Sequence, residues 1–153
     1  MSSSMPFECP SIPCQIHATC VVVDARGLLI VGRSGAGKSS LALQLMAFGA
    51  QLVADDRCDL SESLQGVLAS KPDGLPEAIE ARGVGVLTSP CVGPTILAAV
   101  VDLETMTQDR MPDQRHANFG AHQVPLFDNF DAPHLPAALF HFLKYGFHGS
   151  MDV

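Results

Sequence analysis

The sequence predicts an α/β fold: a mixed β-sheet with one helix directly after a glycine-rich loop and a second helix at the C-terminal end. Three observations carry this. The apolar run "LLIV" (28–31) leads into "GRSGAGKSS" (32–40) and then "LALQLMAFGA" (41–50), which reads as strand, loop and helix. Several more apolar, β-branched runs follow at short spacing, so strands outnumber helices. The segment "LPAALFHFLKYGFH" places Leu135, Leu139, Phe142 and Leu143 on one helical face, with Pro136 in the first turn.

Along the chain, "QIHATCVVVDARGLLIVG" (15–32) contains two apolar runs separated by "DARG", a hairpin or two neighbouring strands. The helix after the loop is expected over 39–48, with Gly49 where a left-handed terminator is favoured. "QLVADDR" (51–57) reads as a short strand ending in two carboxylates, and "LQGVLAS" (64–70) as a strand reached through a polar turn. "KPDGLP" (71–76) is a loop. "EAIEARGVGVLTS" (77–89) starts helix-like and ends as a glycine-punctuated strand, whereas "TILAAVVDLE" (95–104) is the most strand-like run. The polar stretch 105–125 is broken by Pro and Gly, and "QVPLF" (123–127) is an edge-strand candidate. Residues 1–14 read as a loose N-terminal arm and 15–153 as a single domain, with no internal repeat.

Composition narrows the function. At 153 residues and 47% hydrophobic content, with positive mean hydropathy, the chain can bury a core. A net charge of −7 with nine Lys and Arg argues against a nucleic-acid-binding protein. No run reaches the roughly twenty apolar residues that cross a bilayer, and the first residues lack the pattern of a secretory signal, so no membrane association and a cytoplasmic location are expected. Cys9, Cys14, Cys20, Cys58 and Cys91 contain no C-x-x-C pair, and the six histidines form no H-E-x-x-H. These cysteines read as unpaired thiols in a reducing compartment, and a transition-metal site is not indicated.

Residues Gly32, Gly37, Lys38 and Ser39 satisfy G-x-x-x-x-G-K-[ST], the phosphate loop (P-loop). Arg33, Ser34, Gly35 and Ala36 complete it. The glycines let backbone N–H groups turn inward as an anion nest, and the following helix presents its positive end. Lys38 is suited to the β and γ phosphates of a nucleotide, and the Ser39 hydroxyl to Mg²⁺. Two strands end in carboxylates that could serve this loop, Asp55–Asp56 and Asp102/Glu104. By pattern the second is the more ordinary magnesium-facing strand, and spacing does not decide between them.

Together, "IHATC", "GRSGAGKSS", "LVADDR" and "IEARGVGVL" resemble the catalytic domain of the HPr kinase/phosphorylase family, over about residues 15–104. The resemblance implies an ATP- and Mg²⁺-dependent serine kinase acting on the phosphocarrier HPr, and a homo-oligomer, since the family forms hexamers. It implies that Asp56 is the base that takes the serine proton and the acid in the reverse direction, that His17 assists, and that Glu80 joins Ser39 as a magnesium ligand. Asp55 is a secondary, supporting residue in this reading. Without the resemblance, Glu80 reads as a surface helix carboxylate. Arg82, Gly83 and Gly85 belong to the same signature. A later arginine is expected to stabilise the moving phosphoryl group, with Arg110 the nearest match and Arg115 its competitor.

The chain also departs from the family. The separate N-terminal domain of the longer members is expected to be missing, "IHATC" replaces the usual His-Gly, and "VPLFDNFDAPHLP" (124–136), without Lys or Arg, stands where the family's basic segment linked to dephosphorylation is expected. Phosphorylase activity is therefore expected to be weak or lost. Two alternatives remain: a nucleotide-binding regulator without catalysis and a small-metabolite P-loop kinase. A GTPase is disfavoured because no Asn-Lys pair exists to read guanine.

Overall fold

The computed structural model describes residues 7–9 and 11–149. The first half contains β1 (Glu8–Cys9), β2 (Cys14–Ile16), β3 (Thr19–Val23), β4 (Arg26–Val31), α1 (Lys38–Phe48), β5 (Gln51–Ala54), β6 (Cys58–Ser63) and β7 (Gly66–Ser70). The second half contains β8 (Ala78–Ala81), β9 (Gly85–Thr88), β10 (Thr95–Met106), β11 (Arg115–Phe119), β12 (His122–Asn129) and α2 (Leu135–Tyr145). No helix among these is long and apolar enough to cross a membrane.

β3 and β4 form the hairpin read from "DARG". Its two turn residues, Asp24 and Ala25, have φ of 49° and 65°, the left-handed pair that matches the twist of adjoining strands. Around this hairpin the main sheet runs β1-β11-β12-β10-β4-β3-β5. β10 is parallel to both β4 and β12, while β3 and β5 are antiparallel. A smaller antiparallel set, β2-β6-β7, joins through Thr95 and Ile96 at the start of β10.

Side-chain alternation explains the layering. Val21, Val23, Leu28 and Ile30 pack with Leu41 and Leu45 of α1 and Leu139 and Leu143 of α2. Their alternates Cys20, Val22, Leu29 and Val31 pack with Leu60, Val67 and Ala69 of the smaller set, and with Phe119. β3 and β4 are thus buried on both faces, which is why they read as continuous apolar runs. β10, twelve residues long, ties the two strand groups together and brings its carboxyl end beside that of β4, Asp102 lying opposite Val31.

Several expectations change. The helix-like start of 77–89 is instead the hairpin β8–β9: Ile79 and Ala81 alternate inward, a two-residue period, and the closing "RGVG" turn leaves no room for a helix. Glu80 is accordingly a strand residue. The polar "CDLSES" is β6, with only Cys58 and Leu60 buried. β12 is internal, lying between β10 and β11, because "RHANF" supplies an outer partner that its polarity concealed. Of the arm expected to be loose, Glu8 and Cys9 pair with Asn118 and Phe119, and Phe7 stacks on Phe119 at 5.5 Å. Residues 1–6 and 10 lie outside the described residues.

α2 covers the helical face of the sheet through Leu135, Pro136, Leu139, Phe142 and Leu143, all buried, and Leu143 is fully so. Leu143→Ala should cost about 3 kcal/mol, the transfer and cavity terms together, read as a fall in the urea midpoint at unchanged slope; a loss below about 1 kcal/mol would show that this helix does not seal the core.

Candidate functional site: the phosphate-loop cleft

β4 delivers the chain to Gly32 at the edge of the sheet, and α1 begins at Lys38. Between them Gly32, Gly35 and Gly37 take φ of 153°, 86° and 104°, values that side chains resist. At Gly32 there is a steric reason too: a Cβ would sit 3.1 Å from the Ala36 Cβ. α1 has no acidic residue in its first turn and no side-chain cap on its first N–H groups. Those donors and the helix dipole are what an anion would meet. Lys38 is buried, its Nζ donating to the carbonyl oxygens of Gly32 at 2.7 Å and Arg33 at 3.1 Å. Glu104 braces the loop from β10, accepting the Arg33 backbone N–H at 2.9 Å with its other oxygen 3.5 Å from the Arg33 Nε.

The cleft in front of this loop has a volume of about 400 Å³, and His17, Lys38, Ser39, Asp55, Asp56, Glu80 and Arg82 all line it. The two pairs of acids left open by spacing differ in position. Asp55 and Asp56, at the end of β5, face the cleft, while Asp102 does not line it and accepts instead from the Glu104 backbone N–H at 2.9 Å and the Thr105 hydroxyl at 3.2 Å.

Asp55, a supporting residue by sequence, is the hub. Its Oδ1 accepts from the Thr19 hydroxyl at 2.9 Å and the Ser39 hydroxyl at 2.7 Å, and its Oδ2 from the Glu80 backbone N–H at 3.1 Å. One carboxylate therefore fixes β3, the first turn of α1, β5 and β8 relative to one another. A polar threonine in the otherwise apolar run of β3 was the available sequence signal: a fully buried hydroxyl needs a partner.

Asp56 is exposed toward the cleft and has φ of 71°. The Arg57 N–H donates across it to the Asp55 carbonyl at 2.8 Å, while its own carbonyl accepts from Ala18 N–H at 3.2 Å. It is thus the centre of a tight three-residue turn, a conformation costing of order 1–3 kcal/mol for a residue with a side chain. Ala18, the residue after His17, holds the strained peptide through its N–H.

Oxygen donors on the cleft wall include the Ser39 hydroxyl and the Asp55 and Glu80 carboxylates. This hard set fits Mg²⁺, which takes one or two protein oxygens and keeps water or phosphate for the rest. Among the described residues no three His, Cys, Asp or Glu side chains close around a common metal position, as a transition-metal cage would require.

Neither candidate for the expected late arginine lines this cleft. Arg110 lies in the loop after β10 and lines a different cavity, together with Phe127, Phe130 and Phe142. Arg115, on β11, pairs with Asp128 on β12; burial nonetheless pushes the Asp128 carboxyl up, Asp102 adding to the rise and Arg115 opposing it. Neither guanidinium borders the phosphate cleft, because β10 continues past Glu104 to Met106 and carries the loop containing Arg110 away toward α2. Arg82 does border it, since the β8–β9 turn brings it back over the loop.

A family model for the HPr serine kinase C-terminal domain matches residues 11–110. Relatives include the HPr kinase/phosphorylase of Clostridium tetani, 37% identical over 92 residues (60% of this chain, 30% of the relative). That of Bordetella pertussis is 44% identical over 73 residues (47% and 24%), and that of Lacticaseibacillus casei 33% over 107 residues (65% and 34%). The chain therefore spans about a third or less of the length of these relatives. The solved structure of the HPr(Ser) kinase/phosphatase from Coxiella burnetii matches with a TM-score of 0.70 and 26% identity, covering 86% of this chain and 88% of that one. With the phosphate loop, the paired acids and the β8–β9 signature gathered in one cleft, the chain belongs to the HPr serine kinase C-terminal domain family.

Proposed function

We propose that this protein transfers the terminal phosphoryl group of ATP to a serine hydroxyl of an HPr-like phosphocarrier. The observation that carries the proposal is the placement of Asp56, strained and exposed, in the same cleft as Lys38 and the phosphate loop. A regulator that only binds nucleotide would not need a side chain there, since glycine would relieve the turn.

In this reading the loop amides and the α1 N-terminus hold the ATP phosphates, and Lys38 exchanges its two carbonyl partners for phosphate oxygens. Ser39, with Asp55 or Glu80, would hold Mg²⁺, which would supply charge neutralisation when bound. The incoming serine O–H gives its proton to the Asp56 carboxylate as its oxygen bonds to the γ phosphorus, and the bond from that phosphorus to the β–γ bridging oxygen breaks, releasing ADP. His17, on the cleft wall after β2, orients this pair. Arg82 takes the charge-stabilising position expected of Arg110. The apolar side chains of Val84 and Val86, exposed on the β8–β9 hairpin, give the homo-oligomer expected from the family a surface to bury.

The relatives' names include phosphorylase, and the reverse reaction requires inorganic phosphate to be held at the centre. Residues 124–136, without Lys or Arg, form the greater part of β12 and the turn into α2, and none of them borders the cleft. Phosphorolysis is accordingly the weaker activity.

Asp56→Asn should lower serine phosphorylation of HPr at least a hundredfold with magnesium–ATP affinity within a few-fold of wild type; Asp56→Gly should lose transfer equally while its unfolding free energy holds or rises by up to about 1 kcal/mol. Retained transfer in both would remove Asp56 from the chemistry and favour the regulator. A second comparison separates the arginines: kcat for Arg82→Ala should fall tenfold or more, and that for Arg110→Ala should stay within twofold. Finally, incubating serine-phosphorylated HPr with inorganic phosphate should release pyrophosphate far more slowly than the forward reaction consumes ATP, and comparable rates would contradict the proposal.

A further inference from the structure

Four of the five cysteines lie on one side of the main sheet. Cys20 and Cys58 are fully buried in the layer between β3 and β6, and Cys9, buried, and Cys14, half-buried, stand at its margin. The Cys9 and Cys14 sulfurs are 2.8 Å apart, well inside ordinary non-bonded contact and about 0.75 Å beyond a disulfide bond length. The pair terminates two strands with separate partners: Cys9 ends β1, on β11, and Cys14 opens β2, opposite Leu60 of β6. The phosphate cleft makes no use of either residue.

We propose that Cys9 and Cys14 are a reversible thiol–disulfide exchange site, whose co-reactant is a small disulfide of the glutathione class. Cys14, the more accessible sulfur, attacks one sulfur of the reagent as its thiolate and expels one glutathione thiolate. Cys9 then attacks the Cys14 sulfur of this mixed disulfide and expels the second. Two protein thiols and one glutathione disulfide become one protein disulfide and two glutathiones, the two cysteine protons passing to the departing thiolates. Burial, and Cys9 beside it, push the Cys14 thiol up to about 12, so the first attack is slow at neutral pH and brief exposure leaves the pair reduced. Cys20, Cys58 and Cys91 take no part; the first two are sealed in the core, and Cys91 is on the far side of β5, where it bridges Leu52.

The consequence is mechanical. β1 is two residues long and is held by its pairing to β11, by the Asn118 N–H on the Phe7 carbonyl at 3.0 Å, and by the Phe7–Phe119 contact. A bond from Cys9 to Cys14 fastens this edge strand to β2, three residues before His17 on the cleft wall.

The test holds the intact protein in glutathione buffers of rising oxidised fraction, quenches with acid, alkylates under denaturing conditions, and maps peptides by fragmentation mass spectrometry. The result expected is one internal link between Cys9 and Cys14, two hydrogens lighter than the reduced peptide, with Cys20, Cys58 and Cys91 alkylated. The link should reverse with a reducing dithiol, and the oxidised protein should melt roughly 5 °C higher. Full alkylation of both residues, an adduct that stops at one glutathione, a link to Cys20 or Cys58, or an unchanged melting temperature would overturn the proposal. The reading needs no activity measurement, so it stands or falls separately from the kinase assignment.

Discussion

The cleft depends on the carboxylate of Asp55. It accepts from Thr19 on β3, from Ser39 in the first turn of α1 and from the backbone of Glu80 on β8, and so converts four separately folded pieces into one wall. The Thr19 hydroxyl is fully buried and Ser39 is half-buried, and an unpaired buried hydroxyl costs about 1–3 kcal/mol. Removing the acceptor therefore strands these two hydroxyls and frees the more exposed Glu80 amide. The same carboxylate sets where β5 ends, and hence where the turn carrying Asp56 must fall.

From this constraint the division of labour between the adjacent acids follows. Asp55 lines the cleft with both carboxylate oxygens already engaged in hydrogen bonds. Asp56 sits in a strained turn, exposed, with its carbonyl tied to Ala18. A strained backbone persists only where its surroundings over-determine it, and here the determinants are the Asp55 network on one side and β2 with His17 on the other. The phosphate loop is braced from a third direction by Glu104, which explains why the "DLE" end of β10 resembles a nucleotide-facing strand although its aspartate turns elsewhere.

Much of the fold was legible because its signals are local. The β3–β4 hairpin, the loop and α1, β5, β7, most of β10 and the apolar face of α2 follow from runs and periodicities within ten or so residues. The failures are short, half-polar strands. β6 and β11 each gain a partner distant in sequence, β6 beside β2 and β11 beside β1, whereas β8 pairs only with the adjoining β9. Glycines in the β8–β9 segment read as punctuation of a strand after a helix, whereas they form the turn between two strands.

What the sequence alone determined is the phosphate loop, defined by residue types at fixed short spacing, and two candidate pairs of acids at strand ends; Glu80 and Arg82 stood out only through the family resemblance. Only the tertiary structure decided which groups meet. It brought Asp55 and Asp56 to the loop rather than Asp102, and Arg82 rather than Arg110, and it set Cys9 against Cys14 although their spacing matched no motif. The physical reason is that motifs record backbone geometry over a few residues, whereas the distance between two side chains on different strands is set by strand order, register and the side of the sheet each one faces, and a single residue of register reverses that side.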